Sequence, residues 1–597
     1  MEIHPLFLSS ILLIIFSGSI TALFDPDEVV MTTTLGQLRG VELEQSYAFL
    51  GVPFAKPPVG QLRLQVPRPV DPWTGILNAT EKSAGCMQYC VQPPEGCPDR
   101  ISEDCLYLNV WVPKTGRTDY PTMIFMHGGN FRDGSGTALL YDGRILAQDA
   151  DTIIITINYR MEAFGWLFMG DVFDPATGQK EPIANHGLKD QQMAFKWAKE
   201  NIAELGGNPN KITISGQSAG AQSVGVHLVS EVSKDLFDQA LMFSNPYTLP
   251  FKLLDDGIAL ATGVANLIGC DNVYDFECWR AVPADELLAA SKEASDIIYN
   301  PNEILQIFEA WSPAVGPGTE LPEEVVEVNQ RGGAQKKPTM LGTVREEGHT
   351  FIWGIFKNDL GNLQYRVFIK ILFPPWYRDI MDLYPPYRSQ DADQREILSD
   401  ACTDFMFYCP SINVSLSMID EGRYEDYYFY VLDSPWSFEE KWTEDNLMCW
   451  GNVCHGGELP YIFRTGPLAN VSYTEGELEM MNHFTAYMSN FFHTGDPNIP
   501  GTPELKEKIA NLKGRRPHWP KMREKPGNFY TMYLDDCGGN SVLTNYRGKY
   551  CDLFNQIGYY KIPRLNSIDE ALYISDMDEF DVIKKRSAGC QCNVNNP

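Results

Sequence analysis

The segment Lys211-Ile-Thr-Ile-Ser-Gly216-Gln217-Ser218-Ala219-Gly220 reads Gly-x-Ser-x-Gly, behind a β-branched run and ahead of small residues that suit a helix start. A nucleophilic serine needs a sharp turn between strand and helix. Side chains two residues to either side would strike that turn, so glycine is required at both places. The helix start behind Ser218 adds positive dipole where negative charge would develop. An oxyanion hole from an earlier strand–helix loop is the second requirement. His127-Gly128-Gly129-Asn130-Phe131 follows the apolar run Met123 to Met126 and fits it.

The remaining partners of such a serine are an acid and then a histidine, in that chain order. Of nine histidines, His349, His455, His483, His493 and His518 are the candidates after Ser218. His455 stands in the glycine-rich Val453-Cys-His-Gly-Gly-Glu458, a loop able to carry an imidazole into a cleft. Residue type alone does not separate it from the others. The acid belongs at a strand end. Thr339 to Val344 is a strand pattern that leads into Arg345-Glu346-Glu347-Gly348, and either glutamate meets the requirement.

The elements that must position these groups alternate. Strand-like runs at Met123–Met126, Thr152–Tyr159, Lys211–Ser215, Ala240–Phe243, Thr339–Val344 and Tyr427–Leu432 are interleaved with helical spacing, as over Leu188–Leu205. This order predicts an α/β fold, with a mostly parallel sheet covered by helices on both faces.

The 597-residue chain is ordinary globular in composition, with 44% hydrophobic and 21% charged residues. Its net charge of −30 excludes a phosphate backbone as a natural partner, so no nucleic acid is expected. Leu6 to Phe16 is an apolar run too short to span a bilayer, and small residues follow up to Ala22. Residues 1–22 therefore read as a secretory signal peptide, and no membrane span or lipid anchor is expected. Fourteen cysteines and the sequons at Asn78, Asn413 and Asn470 fit an exported, disulfide-bonded glycoprotein. Cys590 and Cys592 are too close to bridge each other easily and are candidates for an interchain disulfide in a homo-oligomer.

The chain resembles the type-B carboxylesterase/cholinesterase family of α/β-hydrolases, closer to a general carboxylesterase than to a cholinesterase. The resemblance runs from about residue 31 to about residue 535. It rests on Gly51-Val-Pro-Phe-Ala-Lys-Pro-Pro-Val-Gly60, Glu103-Asp-Cys-Leu-Tyr-Leu-Asn-Val110, Asn185-His-Gly-Leu-Lys-Asp-Gln191, Gly206-Gly-Asn-Pro209, the serine turn, Glu346-Glu-Gly348 and His455-Gly-Gly-Glu458. It implies Ser218 as nucleophile, His455 as base and Glu347 as the acid. The oxyanion donors would be the N–H groups of Gly129, Asn130 and Ala219, and Phe131 would line the site. It implies the disulfides Cys86–Cys105 and Cys270–Cys278, an ester as small-molecule substrate, and no metal or organic cofactor. The hydrolase body would run over residues 23–564, with an acidic extension at 565–597.

Four departures stand out. Gln217 replaces the glutamate commonest before the serine, and Asn130 replaces a third glycine. No tryptophan lies between Cys86 and Cys105, where cholinesterases carry one to stack on choline. Cys90 and Cys97 lie inside that same loop and can pair with each other. The sequence thus points to a secreted serine carboxylesterase. The competing reading is a non-catalytic adhesion or structural protein on the same fold.

Overall fold

A computed structural model describes residues 29–174, 178–297, 305–389 and 392–559. The expected signal peptide, the tail and Cys590 and Cys592 lie outside the described residues.

An eleven-stranded sheet runs through the molecule. In chain order its strands are β1 (Val41–Glu42), β2 (Ser46–Pro53), β3 (Tyr107–Pro113), β4 (Tyr120–Met126), β5 (Ile153–Ile157), β6 (Gly207–Gln217), β7 (Gln239–Phe243), β8 (Thr339–Val344), β9 (Tyr427–Asp433), β10 (Tyr530–Asp535) and β11 (Ser541–Thr544). Their spatial order is β1-β2-β3-β5-β4-β6-β7-β8-β9-β10-β11. Pairing is parallel from β5 through β10 and antiparallel at both edges. This is the predicted α/β architecture, and each of the six strand-like runs is a strand in it.

Strands β4, β5, β7 and β8 are buried along their whole length and mostly apolar because both faces are covered. Ile124, Ile155 and Ile214 pack into one core. Met123, Phe125, Ile154, Leu241 and Phe243 point the other way into a second. The alternation along β4 and β5 follows the two-residue period of a strand.

Three helices bear on the site. Helix α1 (His186–Asn201) carries the predicted helical stripe and passes into a short 3-10 turn over Ile202–Leu205. Helix α2 (Ala219–Val229) follows β6 directly and is buried almost along its whole length, so it is built from alanine, glycine, serine and valine. Helix α3 (Gly348–Ile355) follows β8. The strand ends that feed α2 and α3, those of β6 and β8, lie at the carboxyl edge of the parallel sheet, where α/β folds place their sites.

Five disulfides join described cysteines. Cys86–Cys105, Cys270–Cys278 and Cys90–Cys97 are the three that were anticipated. Cys409–Cys551 and Cys449–Cys454 were not. Among the described residues no helix is long and apolar enough to cross a membrane.

Candidate active site

Ser218 lies between the end of β6 and the start of α2 in a conformation that side chains rarely adopt, φ 56° and ψ −123°. Its N–H donates to the Phe243 carbonyl at 3.0 Å, which pins the turn to β7. The flanking glycines are steric necessities. A Cβ on Gly216 would stand 2.3 Å from the Gly220 carbonyl oxygen, and one on Gly220 would stand 2.1 Å from that of Met126. The strained turn therefore exists only because the backbones of β4, β6 and α2 touch there.

The His127–Phe131 loop wraps the same point. Gly129, Asn130 and Phe131 all have positive φ, at 107°, 53° and 56°. Asn130 thus occupies a left-handed position, which asparagine tolerates better than most residues. Its N–H is retained, and the N–H groups of Gly129, Asn130 and Ala219 find no partner among the described residues. A Cβ on Gly129 would lie 2.3 Å from Asp133 Oδ1. Asp133 in turn accepts from the Val91 N–H at 3.1 Å and from the Gln92 amide at 2.8 Å. The loop closed by Cys90–Cys97 thereby braces the loop that carries the free N–H groups. His127 stacks on Tyr159 at 4.4 Å, and burial holds its imidazole down at about 4, so it stays neutral. Phe131, expected to line the site, is fully buried with its ring on Trp166 at 4.5 Å.

The two glutamates after β8 do different things. Glu347 is fully buried; its Oε2 lies 2.6 Å from His455 Nδ1, and its Oε1 accepts from the Val344 N–H at 2.9 Å. Gly348 is needed beside it, since a Cβ there would meet the Ser399 carbonyl oxygen at 2.2 Å. Glu346 turns away. It pairs with Arg345 and accepts from the Val453 N–H at 2.8 Å, while its own N–H donates to the Val453 carbonyl at 3.1 Å. Glu346 therefore ties the loop that carries His455 to β8.

His455 is held from every side. Phe351 and Phe407 press on its ring at 5.2 and 5.0 Å, and Cys449–Cys454 closes the turn immediately before it. A carboxylate can only accept, so Nδ1 carries the proton and Nε2 is bare. That bare nitrogen lies 3.1 Å from Gln217 Nε2, whose amide donates to it. Gln217 directly precedes Ser218, so the imidazole contacts the residue next to the serine. Glu458, three residues on, is fully buried and accepts from Ser244 Oγ at 3.0 Å. Burial, and then the charge of Glu347, push its carboxyl up to about 7.

The other histidines are engaged elsewhere. His349 stacks on Trp353, with burial holding it down at about 4. His483 meets the Lys513 carbonyl, His493 meets that of Asp151, and His518 is exposed. Sequence reasoning missed the Gln217 contact, the tie through Glu346, the Cys449–Cys454 closure, and Phe351, Phe407 and Glu458 near His455. One signal was present, namely a cysteine next to His455.

A serine turn at the carboxyl edge of a parallel sheet, beneath an imidazole held by a buried glutamate, defines an α/β-hydrolase. The chain belongs to the carboxylesterase family, whose model matches residues 26–554. It is 34% identical over 479 residues to the crystal protein of Dictyostelium discoideum, covering 79% of this chain and 83% of that one. It is also 34% identical over 478 residues to the cAMP-regulated D2 protein of the same organism, covering 79% and 85%. Among solved structures it resembles a PNB esterase with a TM-score of 0.71 at 26% identity, covering 88% of this chain and 98% of that one. A thermophilic PNB esterase matches with a TM-score of 0.69 at 26% identity, covering 88% and 99%.

Proposed function

We propose that this chain is a secreted serine carboxylesterase that hydrolyses carboxylic esters through an acyl-enzyme on Ser218. The observation that carries this reading is the line Glu347–His455 leading to the strained Ser218 turn. His455 Nε2 takes the Ser218 proton as Oγ attacks the ester carbonyl, and Glu347 holds the tautomer and stabilises the imidazolium. The carbonyl oxygen becomes an oxyanion against the N–H groups of Gly129, Asn130 and Ala219. The imidazolium returns its proton to the departing alcohol, and water then releases the acid by the same steps. For Nε2 to act, the Gln217 amide must let go of it. The side chain can then rotate and offer Oε1 to the protonated ring, which makes Gln217 a partner for both states of the base.

Residues 1–22 are read as the export signal, 23–564 as the hydrolase body and 565–597 as an acidic extension. Asn78 and Asn470 are exposed, and Asn413 is half-buried against Asn555 at 3.0 Å, so the first two are the better glycosylation candidates. Oligomerisation through Cys590 or Cys592 predicts a dimer on a non-reducing gel.

A second reading, a structural protein that retains the site, draws on the printed name of the crystal protein among the relatives. Labelling with a fluorophosphonate separates the two. The wild-type protein is expected to be labelled and Ser218→Ala is not; a folded wild type that resists labelling would favour the structural reading.

A further inference from the structure

Glu309 is a carboxyl that the proposed mechanism does not use. It is only 1% exposed. Its Oε2 accepts from Gln222 Nε2 at 2.9 Å, and its Oε1 has no partner among the described residues. Buried polar atoms are normally paired, so a free carboxyl oxygen in the interior calls for a reason.

Two separate chains of contacts lead from Glu309 and its neighbour Phe308 to Ser218 and His455. Gln222 lies one turn into α2, its N–H donating to the Ser218 carbonyl at 2.9 Å. On the other side, the ring of the preceding Phe308 packs on Phe351 at 5.7 Å, and Phe351 packs on His455 at 5.2 Å. The carboxyl therefore sits between the helix behind the nucleophile and the aromatic wall of the base. An acyl group stays bonded to Ser218 through the reaction, so it is the part of a substrate that remains near Gln222 and Glu309.

We propose, resting on the esterase reading above, that Glu309 determines specificity for esters whose short acyl group ends in a primary ammonium, which it receives on Oε1. An N–H is required, because Oε1 offers a lone pair rather than an aromatic face; a quaternary ammonium has none to give. The net charge of −30 draws cations toward the molecule. Burial pushes the Glu309 carboxyl up to about 8, so the empty site keeps its proton and avoids an isolated buried charge. With Oε2 accepting from Gln222, that proton belongs on Oε1. When an ammonium enters, the proton leaves to solvent and Oε1 accepts the ammonium N–H, so the charge appears only when it is paired.

The test compares the nitrophenyl esters of β-alanine and butyrate, an ammonium-for-methyl pair, on the full-length protein. Wild type is expected to favour the β-alanyl ester in kcat/KM by about tenfold or more, the scale of a charged hydrogen bond. In Glu309→Gln and Glu309→Leu that ratio is expected to collapse toward one or invert. Melting temperatures of the two variants establish that they are folded, and the ratio cancels any general loss of rate. Equal use of the two esters by wild type, or a preference that persists in folded Glu309→Gln, would overturn the inference and leave the esterase reading intact. A wild type that hydrolyses neither ester and resists the fluorophosphonate would overturn both.

Discussion

The Ser218 side and the His455 side of the candidate site are built by opposite means. At Ser218 the geometry comes from backbone against backbone: Gly216 on Gly220, Gly220 on Met126, and a hydrogen bond to Phe243. The turn itself is set by these backbone contacts, with the Asp133 carboxylate bracing only the loop that wraps it. At His455 the geometry comes from side chains of distant segments: Glu347, Glu346, Phe351, Phe407 and the Cys449–Cys454 closure. The first device is rigid and local. The second is assembled, and it places a titratable ring among other titratable groups.

The contrast predicts unequal responses to mutation. Gly220→Ala is expected to have the largest effect, since the new methyl must displace the backbone of β4 or α2. Displacing the nucleophile by about an ångström costs on the order of a hundredfold in kcat/KM. A parallel fall in melting temperature should accompany it. A variant labelled by fluorophosphonate at the wild-type rate would break the comparison, because the turn would then be adaptable.

Removing the closure on the base side, as Cys449→Ser with Cys454→Ser, is expected to be milder. The chain-entropy cost of losing so short a loop is about 2 kcal/mol. Glu346 still ties Val453 to β8, so the labelling rate should fall by roughly tenfold rather than vanish. A loss as large as that of Gly220→Ala would show that the disulfide alone holds the base.

The smallest effect sharpens the electrostatic half of the comparison. Burial and Glu347 raise the Glu458 carboxyl to about 7, so the folded protein keeps a proton that the unfolded chain releases at lower pH. Its favourable contribution is complete below the ordinary carboxyl range and is lost as pH rises through about 7. Glu458→Gln stays neutral at every pH. Its melting temperature relative to wild type should therefore climb between pH 5 and pH 8. A flat difference would mean that Glu458 ionises without cost beside Glu347.

Legibility follows the same division. The six strand-like runs were visible because burial on both faces writes an apolar run into each strand. The serine turn was visible because its steric requirement falls on residues two positions away. The positive φ at Asn130 was not visible in the sequence, because it is set by how the loop folds over the serine turn; asparagine tolerates it better than most residues. By contrast, His455 could not be separated from four other histidines by residue type, nor Glu347 from Glu346 by position. Those choices rest on family resemblance; what the structure adds is that Glu347 lies 2.6 Å from His455 while Glu346 turns to Arg345 and Val453.

What the linear order of residues determined was whatever depends on near neighbours: strand period, the glycine-flanked turn, and an apolar run near the first residues. Folding decided what depends on segments far apart in the chain. Gln217 and His455 are 238 positions apart, Gln222 and Glu309 are 87 apart, and Cys409 and Cys551 are 142 apart. Periodicity and local sterics act over a few residues, whereas a hydrogen bond, a raised carboxyl or a disulfide depends on what the packed sheet brings within a few ångströms.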